Sequence, residues 1–570
     1  MSHSGNLLCT LNGRDEPTVP ALLFTTTHSD SDYRTRRVSM HRFLWAVLLA
    51  VFSVVSVPLT TVAQSNQLIN TRDWYYELIE RLQTRGYLLS LNPTDLPYTT
   101  GAVRTALQQA DTTALGPRER QWYRQLAGAL ADREPNVGEI RAGGIFTGGL
   151  RGSSTDRLNV LEPRGDGDPT LHRAQFTPYL EWGPWIAQAG ATVDRFYEAD
   201  PDGISTAGRF DVRSEEAYVG YNSTYVDVYL GRFDNHWALH DRRGGLLTDN
   251  PRSFDQLQFQ LGNSTLSFQS ILGVLDNMSP DSTFTGQAFG EGVTRRFVSL
   301  HRLDWSPSSS LKLSLMEGEI YHSPTASISL RNFIPLHAFF FESTNKPRLN
   351  DSNIIVGGSV WTQVGPVTVH VQSMLDDILI SRREVRKRSG EFYPAIYTVN
   401  GSATWAGVTD QLDLGTEVDV VSANSFRTDN RADEWSYAQR GLATNLSDYV
   451  RVQGHATWYP MSSLEVEPAL TWYRNGEGDF RRVRITYAPG PGGAIPSVLT
   501  GTVEQTIRPS VSVRYQPLSF GLFDDNQDVR FSAWIDANVG VNFTENADHV
   551  QGATSQEFVG LFRIFGQISF

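Results

Sequence analysis

The sequence holds a single cysteine, Cys9, in 570 residues. A lone thiol excludes an intrachain disulfide and any structural zinc site built on cysteine pairs. Long apolar runs are also scarce. Beyond the first seventy residues, no stretch is apolar over the roughly 20 residues a transmembrane helix needs. Net positive charge is lacking: the formal charge is −13. An acidic surface repels phosphate backbones, so no nucleic-acid partner is expected. Catalytic signatures are missing as well, with no G-x-S-x-G, H-E-x-x-H or Walker loop. No enzyme activity, cofactor or metal site is therefore expected.

What is present begins near the amino end. Arg34, Arg36, Arg37 and Arg42 precede an apolar run over 43–57, and Thr61-Val62-Ala63 offers a small-residue cleavage site. This reads as a signal peptide, with Met40 as the start and residues 1–63 as upstream extension plus leader. A membrane anchor helix is the competing reading; the run is short for one, and Pro58 breaks it. Cys9 leaves with this segment.

The last residues carry the strongest pattern. Phe570, Ile568, Gly566, Ile564, Phe562, Gly560 and Phe558 fall on one side of an extended chain. Ser569, Gln567, Phe565, Arg563, Leu561, Val559 and Glu557 fall on the other. Ordinary strands run about 5–6 residues, whereas a strand tilted across a bilayer needs about 9–11. The length predicts the closing strand of a transmembrane antiparallel β-barrel, its apolar face toward lipid. The edge strand of a soluble sandwich would leave that face exposed and its edge open.

Two textures precede it. Residues 66–135 show helical spacing: Trp74, Leu78, Ile79 and Leu82 before Gly86; Val103, Ala106, Leu107 and Ala110 after a Thr99 or Thr100 cap; Trp122, Leu126, Ala129 and Leu130 after Pro117. Three short amphipathic helices, forming a small periplasmic domain, are expected. From 138 to 570 the period is two. Leu412, Leu414, Thr416, Val418 and Val420, for example, alternate with Asp413, Gly415, Glu417 and Asp419. Connections alternate between tight turns, as at Gly183-Pro184 and Gly365-Pro366, and long loops rich in Gly, Asp, Asn, Pro or Ser. Short periplasmic turns and long outer loops mark outer-membrane barrels, and the count is about 18 strands. Trp182, Trp305, Trp361, Trp405, Trp458, Tyr459 and Tyr515 stand just before short turns, where an interfacial aromatic girdle is expected.

Facing inward, Asp413, Glu417, Asp419, Glu465 and Glu467 are expected to pair with Arg451, Arg514, Arg530 and Arg563. Two loops offer candidate binding chemistry. One, over 381–389, carries Arg382, Arg383, Arg386, Lys387 and Arg388, whose forks suit carboxylates and phosphates; a solvated charged loop is the plainer reading. The other, over 231–254, holds His236, Trp237, His240, Arg242 and Arg243, which can stack on and hydrogen-bond a sugar; packing over the barrel mouth fits equally.

Several short motifs together resemble the capsule assembly proteins of the Wzi type. They are Gly231-Arg232 with Trp237 and then 246–254, Glu319-Ile320-Tyr321, 371–378 with Asp376-Asp377, and Leu96-Pro97-Tyr98 opening a helix. The resemblance implies a barrel of about 18 strands with a helical bundle at its periplasmic end. It also implies an outer-membrane lectin that holds exported capsular polysaccharide at the cell surface. A Gly is expected after the Trp, and Ala238 stands there instead, which bears on the loop's local conformation. A porin or transport channel is the alternative function. The partners expected are outer-membrane lipid and lipopolysaccharide, the exported polysaccharide and the barrel assembly machinery, with the chain a monomer. If the basic loop holds an anionic polymer, changing Arg382, Arg383, Arg386, Lys387 and Arg388 together to Gln lowers polymer retention at low salt while the barrel still folds. Unchanged retention at low and high salt returns the loop to plain solvation.

Overall fold

The computed structural model describes residues 65–130, 140–155, 161, 170–195, 212–279, 293–323, isolated residues between 332 and 339, 352–377, 396–427, 430–481, 498–523 and 526–570. Over 517–523 and 526–528 it describes the backbone path alone. The leader and the basic loop over 381–389 lie outside these residues.

Three helices come first: α1 (Tyr75–Thr84), α2 (Thr100–Gln109) and α3 (Pro117–Leu130). Each starts and stops for local reasons. The Thr99 hydroxyl accepts the Ala102 N–H at 3.0 Å, capping α2. Pro117 opens α3 where no N–H is needed. Gly86, at φ +89°, takes the chain out of α1. The predicted stripes are the buried faces: Leu78, Ile79 and Leu82; Val103, Ala106 and Leu107; Trp122, Leu126, Ala129 and Leu130.

The strands are β1 (Ile140–Ser153), β2 (Thr170–Trp182), β3 (Trp185–Ala189 with Ala191–Asp194), β4 (Val212–Arg213 with Ala217–Asn222), β5 (Val226–Phe233) and β6 (Phe254–Gly262). They continue as β7 (Leu266–Val274), β8 (Arg295–Ser308), β9 (Leu311–Ser323), β10 (Ser352–Val364), β11 (Val367–Asp377) and β12 (Ile396–Thr409). The last are β13 (Leu412–Val421), β14 (Tyr449–Met461), β15 (Leu464–Asn475), β16 (Glu504–Phe523), β17 (Asn526–Glu545) and β18 (Thr554–Ser569). Sequential neighbours pair antiparallel. β18 then pairs with β1, Ile145 opposite Ser569 through Ser153 opposite Leu561, closing an 18-stranded barrel. β16 and β17 pair along most of their length, from Gln505 opposite Glu545 to Phe523 opposite Asn526.

The outer face is apolar. Leu150, Leu180, Leu230, Leu315, Leu470, Phe558, Phe562 and Ile564 are all exposed on it. No soluble protein leaves such a belt in water. A closed barrel satisfies its own backbone groups, and its apolar belt faces hydrocarbon, so this is a barrel of the bacterial outer membrane. Among the described residues no helix is long and apolar enough to cross a membrane. Trp182, Trp305, Trp405, Trp458 and Tyr515 point outward near the short turns, as a girdle does. Trp361 and Tyr459, expected beside them, are 3 % and 4 % exposed and face inward instead. At both positions the strand parity is opposite to that of the outward tryptophans. Tyr459, for instance, follows outward Trp458 and packs edge-on to Trp122 of α3 at 5.2 Å.

The face assignment of β18 makes a direct prediction. Ile564→Arg places a charge in lipid, at a cost of about 2–4 kcal/mol near the midplane. Arg563→Gln, on the lumenal side, costs far less. Heat-modifiable gel mobility separates the two; equal damage refutes the assignment.

Candidate functional site

The lumen is packed from both ends. From the short-turn end, the segment 65–72 lies along the wall: Ser65 Oγ donates to Glu181 at 2.6 Å and the Leu68 N–H donates to the Tyr218 hydroxyl at 3.0 Å. The helices follow. Trp122 Nε1 donates to the carbonyl of Ser462, in the β14–β15 turn, at 3.0 Å. Arg85 meets Asp413 at 2.9 Å while lying 4.8 Å over the Trp122 ring. Arg81 pairs with Glu465, and Arg514 bridges Glu77 and Glu465 at 3.1 and 3.2 Å. The lumenal carboxylates of the alternating strands therefore brace a plug, as their pattern allowed.

From the opposite end, the loop between β5 and β6 folds inward, and so does the loop between β13 and β14. Trp237, Leu246 and Leu247 form one core with Trp435 and Leu442 against Leu300, Met316, Ile355 and Met374 of the wall. Trp435 Nε1 donates to the Leu246 carbonyl at 2.8 Å. Gln372 of β11 clamps the loop in two directions: its amide N–H donates to the Trp237 carbonyl and its oxygen accepts the Gly245 N–H, both at 2.7 Å. A Cβ at Gly245 would stand 2.6 Å from Met374 Cγ, so only glycine lets the loop come this close.

The two plugs join. Leu96 and His236 exchange both backbone hydrogen bonds, at 3.0 and 2.9 Å. His236 is buried, with Nδ1 2.9 Å from Asp249 and Nε2 donating to the Leu239 carbonyl at 2.8 Å. Asp249 in turn accepts from Thr71 Oγ1 at 3.1 Å, and its carbonyl accepts from Arg72 at 2.6 Å. Burial pushes His236 toward neutrality, but Asp249 and the Leu239 carbonyl outweigh it and hold the imidazole above its ordinary value. Burial likewise works against the Asp249 charge, yet His236 and Arg72 hold that carboxyl well below its usual range. His240 stacks on Tyr76 at 5.3 Å, and burial lowers it to about 4, leaving it neutral.

Each residue expected to bind now has a place. Trp237 is wholly buried and lies under Arg302, whose guanidinium carbon is 5.6 Å from the ring centroid. It packs the loop and is closed to a sugar. Ala238, where Gly was expected, is also wholly buried and fits that packed loop. Arg242 pairs with Glu417 at 2.9 Å, and Arg243 lies 5.2 Å over the Tyr449 ring. Both line a polar cavity of about 760 Å³ beside the plug, with His236 and His240. Sequence reasoning missed Asp249, Gln372 and Arg302. Strand alternation already places Gln372 and Arg302 inward, whereas the His236–Asp249 pairing across a loop leaves no periodic signal.

No family model matches the chain, and no curated protein matches it by sequence. Among solved structures it is similar to Wzi of Escherichia coli, an outer-membrane protein involved in group 1 capsule assembly and a carbohydrate-binding β-barrel. The TM-score is 0.57 at 12 % identity, over 88 % of this chain and 99 % of that one. The chain has the Wzi fold. Pseudomonas aeruginosa OccD3 (OpdP) matches at TM-score 0.43 and 11 % identity, over 77 % of this chain and 95 % of that one. OccK5 (OpdH) of the same organism matches at 0.40 and 10 %, over 76 % and 98 %.

The junction predicts a pH dependence. His236, raised when folded, contributes stability fully below about pH 6.5 and loses it as pH rises through the raised value. Asp249, depressed when folded, contributes above about pH 4 and loses it in acid. The junction is therefore tightest between these limits. Thermal midpoints of the wild type should fall from about pH 6 to about pH 9, and His236→Gln should flatten that part of the curve. An unchanged slope in the variant removes the junction as its cause.

Proposed function

We propose that this barrel anchors exported surface polysaccharide at the outer membrane rather than conducting solutes. The observation that carries the reading is the joined plug: helices from one end and loops from the other meet at Leu96–His236. A passive pore needs a continuous wet path, and a lumen packed in this way argues against one. The Wzi fold supports the same reading, since Wzi itself binds carbohydrate. On this reading residues 1–63 are removed on export and residues 66–135 form the periplasmic bundle. Arg382, Arg383, Arg386, Lys387 and Arg388 hold the polymer's anionic groups. Arg242 and Arg243 serve from inside the cavity rather than at the surface. The barrel binds without catalysis, as a monomer among lipopolysaccharide, after insertion by the assembly machinery.

One observation favours a channel as the second reading. The cavity beside the plug is lined by charged groups of both signs, Glu465 and Arg440 among them. Planar bilayers separate the two. An anchor carries no steady current, and deleting its gene strips polymer from the cell surface while synthesis continues. A large steady current with polymer retained refutes anchoring.

A further inference from the structure

The apolar outer face carries a polar patch on β7, β8 and β9. On β8 the even positions face the lumen, where Val298 and Leu300 join the plug core and Arg302 holds the helical segment. The odd positions face outward, as exposed Leu303 and Trp305 show. His301 and Ser299 share that outward parity. On β9, Glu317 and Glu319 share the face of exposed Leu315; on β7, Ser270 shares the face of exposed Leu266. In register, His301 stands opposite both Ser270 and Glu317, and Ser299 stands opposite Glu319. His301 is four residues along the strand from interfacial Trp305. At about 3.3 Å per residue and a tilt near 40°, that is about 10 Å into an apolar band about 25 Å tall. Ionisable side chains aimed at lipid from this depth are costly, so they need protein partners.

The partners come from the connection between β9 and β10. His301 Nε2 donates to the Asn332 carbonyl at 2.8 Å, while Nδ1 lies 3.0 Å from Glu317. The Phe339 ring stacks on the imidazole at 4.4 Å and 25°. Glu317 accepts the Phe339 N–H through its other oxygen at 3.1 Å, and Glu319 accepts the Asn332 side-chain amide at 2.9 Å. The His337 N–H donates to the Ile334 carbonyl at 3.0 Å, turning the segment on itself. Irregular backbone persists at membrane depth only where protein satisfies its polar groups. The outward histidine and glutamates supply that need, which explains polar residues on this side of the wall. Asn332, Phe339 and His301 are buried by the arrangement, whereas Ile334 is 51 % exposed. The sequence over 333–341, FIPLHAFFF, holds a single ionisable residue, His337.

We propose that the part of the β9–β10 connection bearing Asn332, Ile334 and Phe339 is a membrane-facing flap. His301, Glu317 and Glu319 fasten it to the lipid side of the wall, and Ile334 meets the acyl chains. The proposal concerns the outside of the barrel and is independent of whether the lumen anchors polymer or conducts.

The test uses the full chain carrying Cys9→Ser, reconstituted in phosphatidylcholine vesicles, with a nitroxide label on Ile334→Cys. Labels on Leu315→Cys, in the exposed belt, and on Ser309→Cys, in the exposed β8–β9 turn, give the lipid and water references. The label at 334 collides with oxygen as the one at 315 does and loses most of its collisions with a water-soluble nickel chelate. Nickel collisions as frequent as at 309 overturn the lipid contact. Adding His301→Ala releases the segment: the immobilised component of the spectrum at 334 is lost and nickel collisions rise. Should that variant fail to reach the heat-modifiable folded form, Glu317→Gln takes its place, keeping the side-chain shape and losing the charge facing His301. A spectrum at 334 unchanged in the folded variant overturns the fastening.

Discussion

Everything in this molecule depends on backbone hydrogen bonding where there is no water. Within hydrocarbon, each unpaired N–H or C=O costs several kcal/mol, so a sheet there must close on itself. The β1–β18 pairing provides that closure. It also fixes which residues face in, because a shift by one residue would turn the whole apolar face of β18 into the lumen. The closed sheet then creates a second requirement. A barrel of this width encloses more space than its own wall side chains fill, so the lumen must hold either water or protein. Here it holds both. A dry core of loop residues lies against β8 to β11, and a wet, charged cavity lies against the closing strands.

The plug is fastened largely by polar groups. Arg302, wholly buried on β8, binds Asp304 of its own strand, the Thr94 carbonyl of the helical segment at 2.6 Å, and the Thr94 hydroxyl, and also lies over Trp237 of the inward loop. Arg296 does the same for the other loop, reaching Asp276 and the carbonyls of Ala432 and Ser436. Buried ion pairs contribute little net stability, because desolvation offsets most of the attraction. What they fix here is position. An apolar plug could slide along a smooth apolar wall; guanidinium groups bound to named carbonyls allow one seating.

Much of this was legible in the sequence, and the reasons are physical. Strand parity has a strict period, so the lumenal side of β18 and the carboxylates of β13 and β15 could be read directly. Helix stripes and caps are equally local, and Thr99 and Pro117 stand where their chemistry requires. What failed depended on three-dimensional packing. Trp361 and Tyr459 sit near short turns like the outward tryptophans, and only their parity separates them. Trp237 carries the aromatic character of a sugar platform, yet the loop that bears it folds inward. A lone motif gives residue types and spacing but not which side of the loop becomes buried.

The same distinction separates the residues of the inward loops from those of the wall. Loop residues such as Trp237 and His236 are engaged in holding the plug: Gln372 takes the Trp237 carbonyl, Arg302 lies over the Trp237 ring and Asp249 takes the His236 imidazole. On the strands, every inward charge stands in a register set by closure, and a like-charged neighbour there cannot move away without breaking the ladder. The seam is where the two ends of the barrel meet, and it is where the alternating charges change to arginine against arginine. A constraint imposed by the membrane thus holds two basic groups opposite each other beside a polar space.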